Sequence, residues 1–430
     1  MFNPQFNSPN TKTTSYKVVL PFYMYASVSF LLATLLLFVY SDAFLMHYFH
    51  PKILAITHTM ALGWATMLIL GASHQLVPVF IEGKLYSDRL AYICLVLAAI
   101  GIPLLVYGFF TFNMQAPAKW GGRFVVLAIL AYMVNLGGSI ARTKRVNIHA
   151  VFVMTATLWL MYTALMGLIL VYNFHTPLLE SGSQHYLPLH AHGGIVGWFL
   201  LLVFGVASRL IPMFLISKYT NVKLLWVIYT LINVGLLFYL VLFYFEKNKL
   251  LSLIPPMLTL VAVVLFIFYC YKAYKNRLRK SIDEQMKISL LAVFLILLPM
   301  IILFGIIILM LIGNSENTEL SLTYGFVIFF GWLTSIILGM TFKTLPFITW
   351  NKVYHKRAAL GKTPNPKDLF DSFIFKVMSI TYLIGFLTFA FGIFFMWLPL
   401  LKIGSMFLIF TSIFYNFNVL KIICHKATIS

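Results

Sequence analysis

Imidazole is the side chain that most readily offers a neutral nitrogen to a metal or a haem iron, and this chain carries 11 histidines. Two of them open segments of one pattern: His58-Thr-Met-Ala-Leu-Gly63-Trp64 and His192-Gly-Gly-Ile-Val-Gly197-Trp198. His190 stands two residues before His192. On an α-helix about 200° separates such a pair, so the two serve neighbouring sites, or one ligates while the other caps or gates. Histidine within a membrane span is costly unless it faces a cavity, a partner or a cofactor. His58, His190 and His192 are therefore the candidate haem or metal ligands. The competing reading is that they are interfacial histidines bonded to water and backbone carbonyls. His47, His50 and His185 offer a further, copper-type set, or are loop histidines in water. His74 has no histidine counterpart at Ser208 or Phe342, and both readings stay open for it. His149, His355 and His425 stand among basic residues and are expected to be solvated.

The elements that must hold these rings follow from composition. The chain has 430 residues, 61% hydrophobic and only 10% charged, and a mean hydropathy of +0.93. A soluble fold needs roughly a quarter charged residues to cover its surface. That excludes soluble domains. Apolar runs long enough to cross a hydrocarbon core as helices lie near 17–40, 53–81, 89–111, 121–142, 148–173, 188–216, 223–245, 251–273, 287–312, 321–349, 373–397 and 400–423. Pro103, Pro255, Pro256 and Pro299 fall within these spans. The expected fold is an all-α polytopic membrane protein of twelve transmembrane helices in one membrane domain, 1–430. The first span is too long for a cleaved signal. Cys94, Cys270 and Cys424 form no disulfide framework or CxxC pair.

The net charge of +20 is explained by topology. With the N-terminus inside, six of the 31 basic residues lie outside (Lys52, Lys119, Arg123, Lys247, Lys249 and Lys402), which leaves 25 inside. Cytoplasmic ends in a bacterial inner membrane type of bilayer follow from that bias. Anionic lipid headgroups are the expected partners of the basic face, and no nucleic acid is needed. Seven histidines, His47, His50, His58, His175, His185, His190 and His192, then fall on the outer side.

A repeat runs through the chain. Trp64, Trp198 and Trp332 are each preceded by glycine, followed seven residues later by Gly71, Gly205 and Gly339, and 14 residues later by Pro78, Pro212 and Pro346. The tryptophans are spaced by 134 residues, twice. The chain is thus expected to form three four-helix units, approximately 16–145, 146–279 and 280–425, related by a pseudo-threefold axis along the membrane normal. The glycines would let helices approach closely, and the prolines would end the second, sixth and tenth spans. Gln75, Arg209 and Lys343 share one repeat position, facing an inner vestibule or snorkelling to headgroups. The acidic residues, including Glu82, Glu180, Glu316 and Glu319, lie in or beside loops, which counts against a proton-coupled carrier. No Walker A loop, HExxH or nucleophile elbow occurs.

Twelve spans in three arcs of four, with Leu189-His190-Ala191-His192-Gly-Gly-Ile-Val-Gly197-Trp198 on the sixth, resemble the haem-copper oxidase subunit I superfamily, which includes cytochrome oxidases and membrane nitric oxide reductases. In that family histidines of spans 2 and 10 hold haem, and histidines of spans 6 and 7 hold copper. Spans 7 and 10 here contain no histidine, so the resemblance does not extend to the binuclear centre. It implies a b-type haem between spans 2 and 6, with His58 as one axial ligand and His192 or His190 as the other. Copper would be a further cofactor, and a cytochrome or quinol the electron donor. The pattern is also similar to membrane haem proteins linked to nitric oxide metabolism (the NnrS type). The function implied is electron transfer, or nitric oxide or oxygen handling. The alternatives are a transporter or channel using the bundle as a pathway, and a haem-binding sensor or assembly protein.

Overall fold

In hydrocarbon an apolar segment must pair its own backbone polar groups, and a helix does so within one segment. The computed structural model describes residues 14–427 apart from 82, 144–145, 246–248, 314–316 and 355–362. Glu82, Lys247, Glu316 and His355 therefore lie outside the described residues. Among the described residues the named elements are all helical, and twelve helices are long and apolar enough to cross a membrane. They are α1 (Tyr16–Val39), α2 (Pro51–Phe80), α3 (Asp88–Phe110), α4 (Ala116–Ala141), α5 (Ile148–Asn173), α6 (Ser183–Leu215), α7 (Val222–Phe245), α8 (Leu250–Lys275), α9 (Glu284–Gly313), α10 (Thr318–Tyr354), α11 (Ser372–Phe394) and α12 (Leu398–Ile423). The architecture is that of a multi-pass membrane protein.

The expected boundaries shift where local chemistry extends a helix. α4 begins at Ala116, with Pro117 in its first turn, where a proline loses no helical hydrogen bond. Pro255 and Pro256 likewise stand in the first α-helical turn of α8 and not in its interior. The expectation that three prolines end their helices holds for two. α2 stops shortly after Pro78 and α6 shortly after Pro212, where Ile216 turns left-handed at φ 53°. α10 continues past Pro346 to Tyr354. Leu345, Ile348, Thr349 and Tyr354 are all buried around that proline, and tertiary packing carries the helix through one missing backbone bond.

Three helices form the interior. In their apolar stretches 78% of α2, 72% of α6 and 89% of α10 is buried, against at most 50% in any other span. These are the helices that carry the tryptophan repeat. The Trp64 indole N–H donates to Thr334 Oγ1 at 3.2 Å, joining α2 to α10, and the Trp198 N–H donates to Thr66 Oγ1 at 3.1 Å, joining α6 to α2. Each threonine stands two residues after the tryptophan of its own segment. Leu200 takes that position in α6 and has no oxygen to offer.

Each interior helix is wound as a π-helix over the same stretch: Thr59–Thr66, Gly193–Leu200 and Val327–Leu333. Such segments rotate the turns on either side relative to one another. The Thr334 hydroxyl also donates to the Phe329 carbonyl five residues back, at 2.7 Å. Among the glycines of the tryptophan repeat, close approach is tightest at Gly205 and Gly339. A Cβ on Gly205 would lie 2.4 Å from Phe152 Cβ of α5, and one on Gly339 would lie 2.7 Å from the Gln285 carbonyl of α9. Below the tryptophans the same three helices surround a cavity of about 90 Å³, lined at matched positions by Leu68, Leu202 and Ile336 and by Ala72, Val206 and Met340.

The Trp64–Thr334 bond is open to test. Thr334→Val keeps the shape, leaves a buried indole N–H without its acceptor, and should lower stability by about 1–2 kcal/mol. Thermal unfolding in detergent measures this; an unchanged midpoint would show that the bond holds nothing.

Candidate functional site

His58 ends the first α-helical part of α2, immediately before its π segment, and His192 stands at the same point of α6. Each is tied to its own helix. His58 Nδ1 lies 2.7 Å from the Leu54 carbonyl and His192 Nδ1 lies 2.9 Å from the Pro188 carbonyl, both one turn back. His190 is tied across a helix boundary, its Nδ1 lying 2.9 Å from the Thr163 carbonyl of α5. A carbonyl only accepts, so Nδ1 carries the proton in all three rings. In the neutral imidazole the lone pair then sits on Nε2, the arrangement in which a histidine binds metal.

The two histidines of α6 face different neighbours. The His190 ring lies 6.2 Å from the His58 ring, their planes 20° apart. His58 rests on Phe109 of α3 at 4.4 Å. Gly167 of α5 makes the place for His190: a Cβ there would lie 2.7 Å from Cε1 of the ring. His192 faces the opposite way, 5.3 Å from the Tyr239 ring of α7 and 6.2 Å from the Tyr324 ring of α10. The rings of His58, His190 and His192 are all partly exposed within the bundle.

The spacing of the pair is close to that of two imidazoles on one metal ion. Two imidazoles on opposite sides of one ion, each bonded through Nε2 at about 2.0–2.1 Å, hold their ring centres about 6.3 Å apart. Plain aromatic pairs also meet at such distances. What distinguishes this pair is that both Nδ1 atoms are held by carbonyls, and that a glycine clears the space beside one ring.

The other histidines are used locally. His47 Nδ1 accepts from the Phe49 amide at 3.1 Å, and His50 Nδ1 accepts from the Lys52 amide at 3.3 Å as the N-cap of α2. His185 packs on Tyr186 and Phe243. Among the described residues no group of three or more His, Cys, Asp or Glu side chains is gathered to hold a metal ion. His149 and His425, expected in water, are half-buried and bonded: His149 Nδ1 to Ser208 Oγ at 3.0 Å and His425 Nε2 to the Tyr354 hydroxyl at 2.9 Å. His74 is buried between Phe22 and Tyr132.

The three residues at one repeat position end in three environments. Lys343 is buried and pairs with Asp283, the N-cap of α9, while Arg209 is exposed and Gln75 is half-buried. Sequence reasoning missed Thr163, Gly167, Phe109, Tyr239 and Tyr324. Only Tyr324 carried a signal: it lies 134 residues beyond His190 and so occupies the His190 position of the third repeat.

The tautomers are measurable. In protein carrying no metal, ¹⁵N spectra of labelled imidazoles at neutral pH should show Nδ1 protonated in His58, His190 and His192; Nε2-protonated rings would contradict the carbonyl contacts. Compared with models of known families and with curated proteins, the chain matches none.

Proposed function

We propose that the chain is a haem-binding integral membrane redox protein of the haem-copper oxidase subunit I type, working as an electron carrier. Its haem would be held between α2 and α6, with His58 and His190 as the axial ligands. The observation that carries this reading is the His58–His190 pair, 6.2 Å apart with both Nδ1 atoms bonded to carbonyls. Iron between two imidazoles supplies one-electron exchange. The chain's own residues do the holding: the Leu54 and Thr163 carbonyls fix each ring and keep Nε2 free, Phe109 backs His58, and Gly167 makes room for His190. No CxxCH attachment site occurs in the sequence, so the haem would be of b type, without thioether links.

The twelve helices are assigned to three four-helix units about an axis bounded by α2, α6 and α10. Support comes from the matched π segments and from the Trp64–Thr334 and Trp198–Thr66 bonds. The basic bias assigns both ends to the cytoplasm. A haem held there would lie toward the outer face, where a separate cytochrome or a quinol would be its donor.

Protein purified from haem-supplied cells should show a Soret band with the spectrum of a six-coordinate, bis-imidazole iron. His58→Ala and His190→Ala should each abolish that low-spin spectrum. A colourless protein, or a spectrum indifferent to both substitutions, overturns the proposal.

A further inference from the structure

We propose that the chain holds a single haem and that Tyr324 is the residue that sets this number. The inference rests on the haem reading and goes beyond it. Adding the 134-residue period to His58 and His190 gives His192 and Tyr324. The first pair joins α2 to α6, and the second joins α6 to α10. Their ring centres are separated by the same 6.2 Å, with planes 20° apart in one case and 34° in the other. The α6–α10 contact is therefore a second copy of the α2–α6 contact with one ligand exchanged. The third copy pairs Phe326 with Ile56, and both line a cavity of about 120 Å³ with Phe44 and Met60. Neither residue there can bind a metal.

The exchange of imidazole for phenol is decisive at this spacing. The ligating nitrogen of imidazole is part of the ring, and 6.2 Å between ring centres is close to the spacing of two imidazoles on one iron. The oxygen of a phenol projects beyond the ring. Tyr324 offers a protonated phenol at the repeat position where His190 offers a lone-pair nitrogen. His192, with its Nδ1 held by the Pro188 carbonyl exactly as His58 is held by Leu54, faces Tyr324 and Tyr239 instead of a second imidazole. The chain would then hold one haem, between His58 and His190, and that haem would supply a single one-electron centre.

The test counts haem per chain by pyridine haemochrome against amino-acid analysis, with near-infrared magnetic circular dichroism to read the ligands. The unaltered protein should contain one haem, and His192→Ala should keep it. Tyr324→His should raise the content to two, both bis-imidazole, and adding His192→Ala to that variant should return it to one. Two haems in the unaltered chain overturn the count while leaving the haem reading in place, and loss of the single haem in His192→Ala overturns its assignment to His58 and His190. Tyr324→His that keeps the parent's thermal midpoint but still holds one haem overturns the role of Tyr324. An unaltered chain without haem overturns the haem reading itself, and the count with it.

Discussion

An indole N–H inside an apolar bundle must find an acceptor or pay for desolvation, and the acceptors available there are few. Trp64 finds Thr334 and Trp198 finds Thr66. These two bonds fix the depth of α10 against α2 and of α2 against α6 at the centre of the molecule. Everything toward the His58 end of the bundle inherits that register. A slip of one turn along α6 would carry His190 about 5.4 Å past His58, and the pairing would be lost.

The histidines then solve a second problem of the same kind. A ring set within an apolar bundle gains by satisfying its own N–H, and the carbonyls of Leu54, Thr163 and Pro188 do this for His58, His190 and His192 without any charged partner. The bond fixes the tautomer as well as the orientation, because a carbonyl leaves no choice of donor. Structural satisfaction of one nitrogen thus leaves the lone pair on the other.

Much of the fold was legible before any coordinates. The helices follow from the length of the apolar runs, and the repeat follows from tryptophan, glycine and proline at equal spacings. The candidate ligands could be named, since two imidazoles at one repeat position stand out in so apolar a chain. Local signals failed where packing overrides them. Pro346 reads as a helix end, yet buried neighbours carry α10 onward to Tyr354. His149 reads as solvated because basic residues flank it in sequence, while in space it meets Ser208 of another helix.

Residue types and their periods determined, by themselves, that this chain is a multi-pass helical bundle with imidazoles at one repeated depth. They also determined that His190 and His192 diverge, because two steps along a helix turn a side chain through about 200°. Which of the two meets His58 was decided only in three dimensions. The choice depends on the rotation of α6 about its own axis, and that rotation is set by the Trp198–Thr66 bond, the π segment beside it and the room left by Gly167 on α5. Those contacts join residues far apart in the chain, and no local pattern encodes the angle at which one helix faces another.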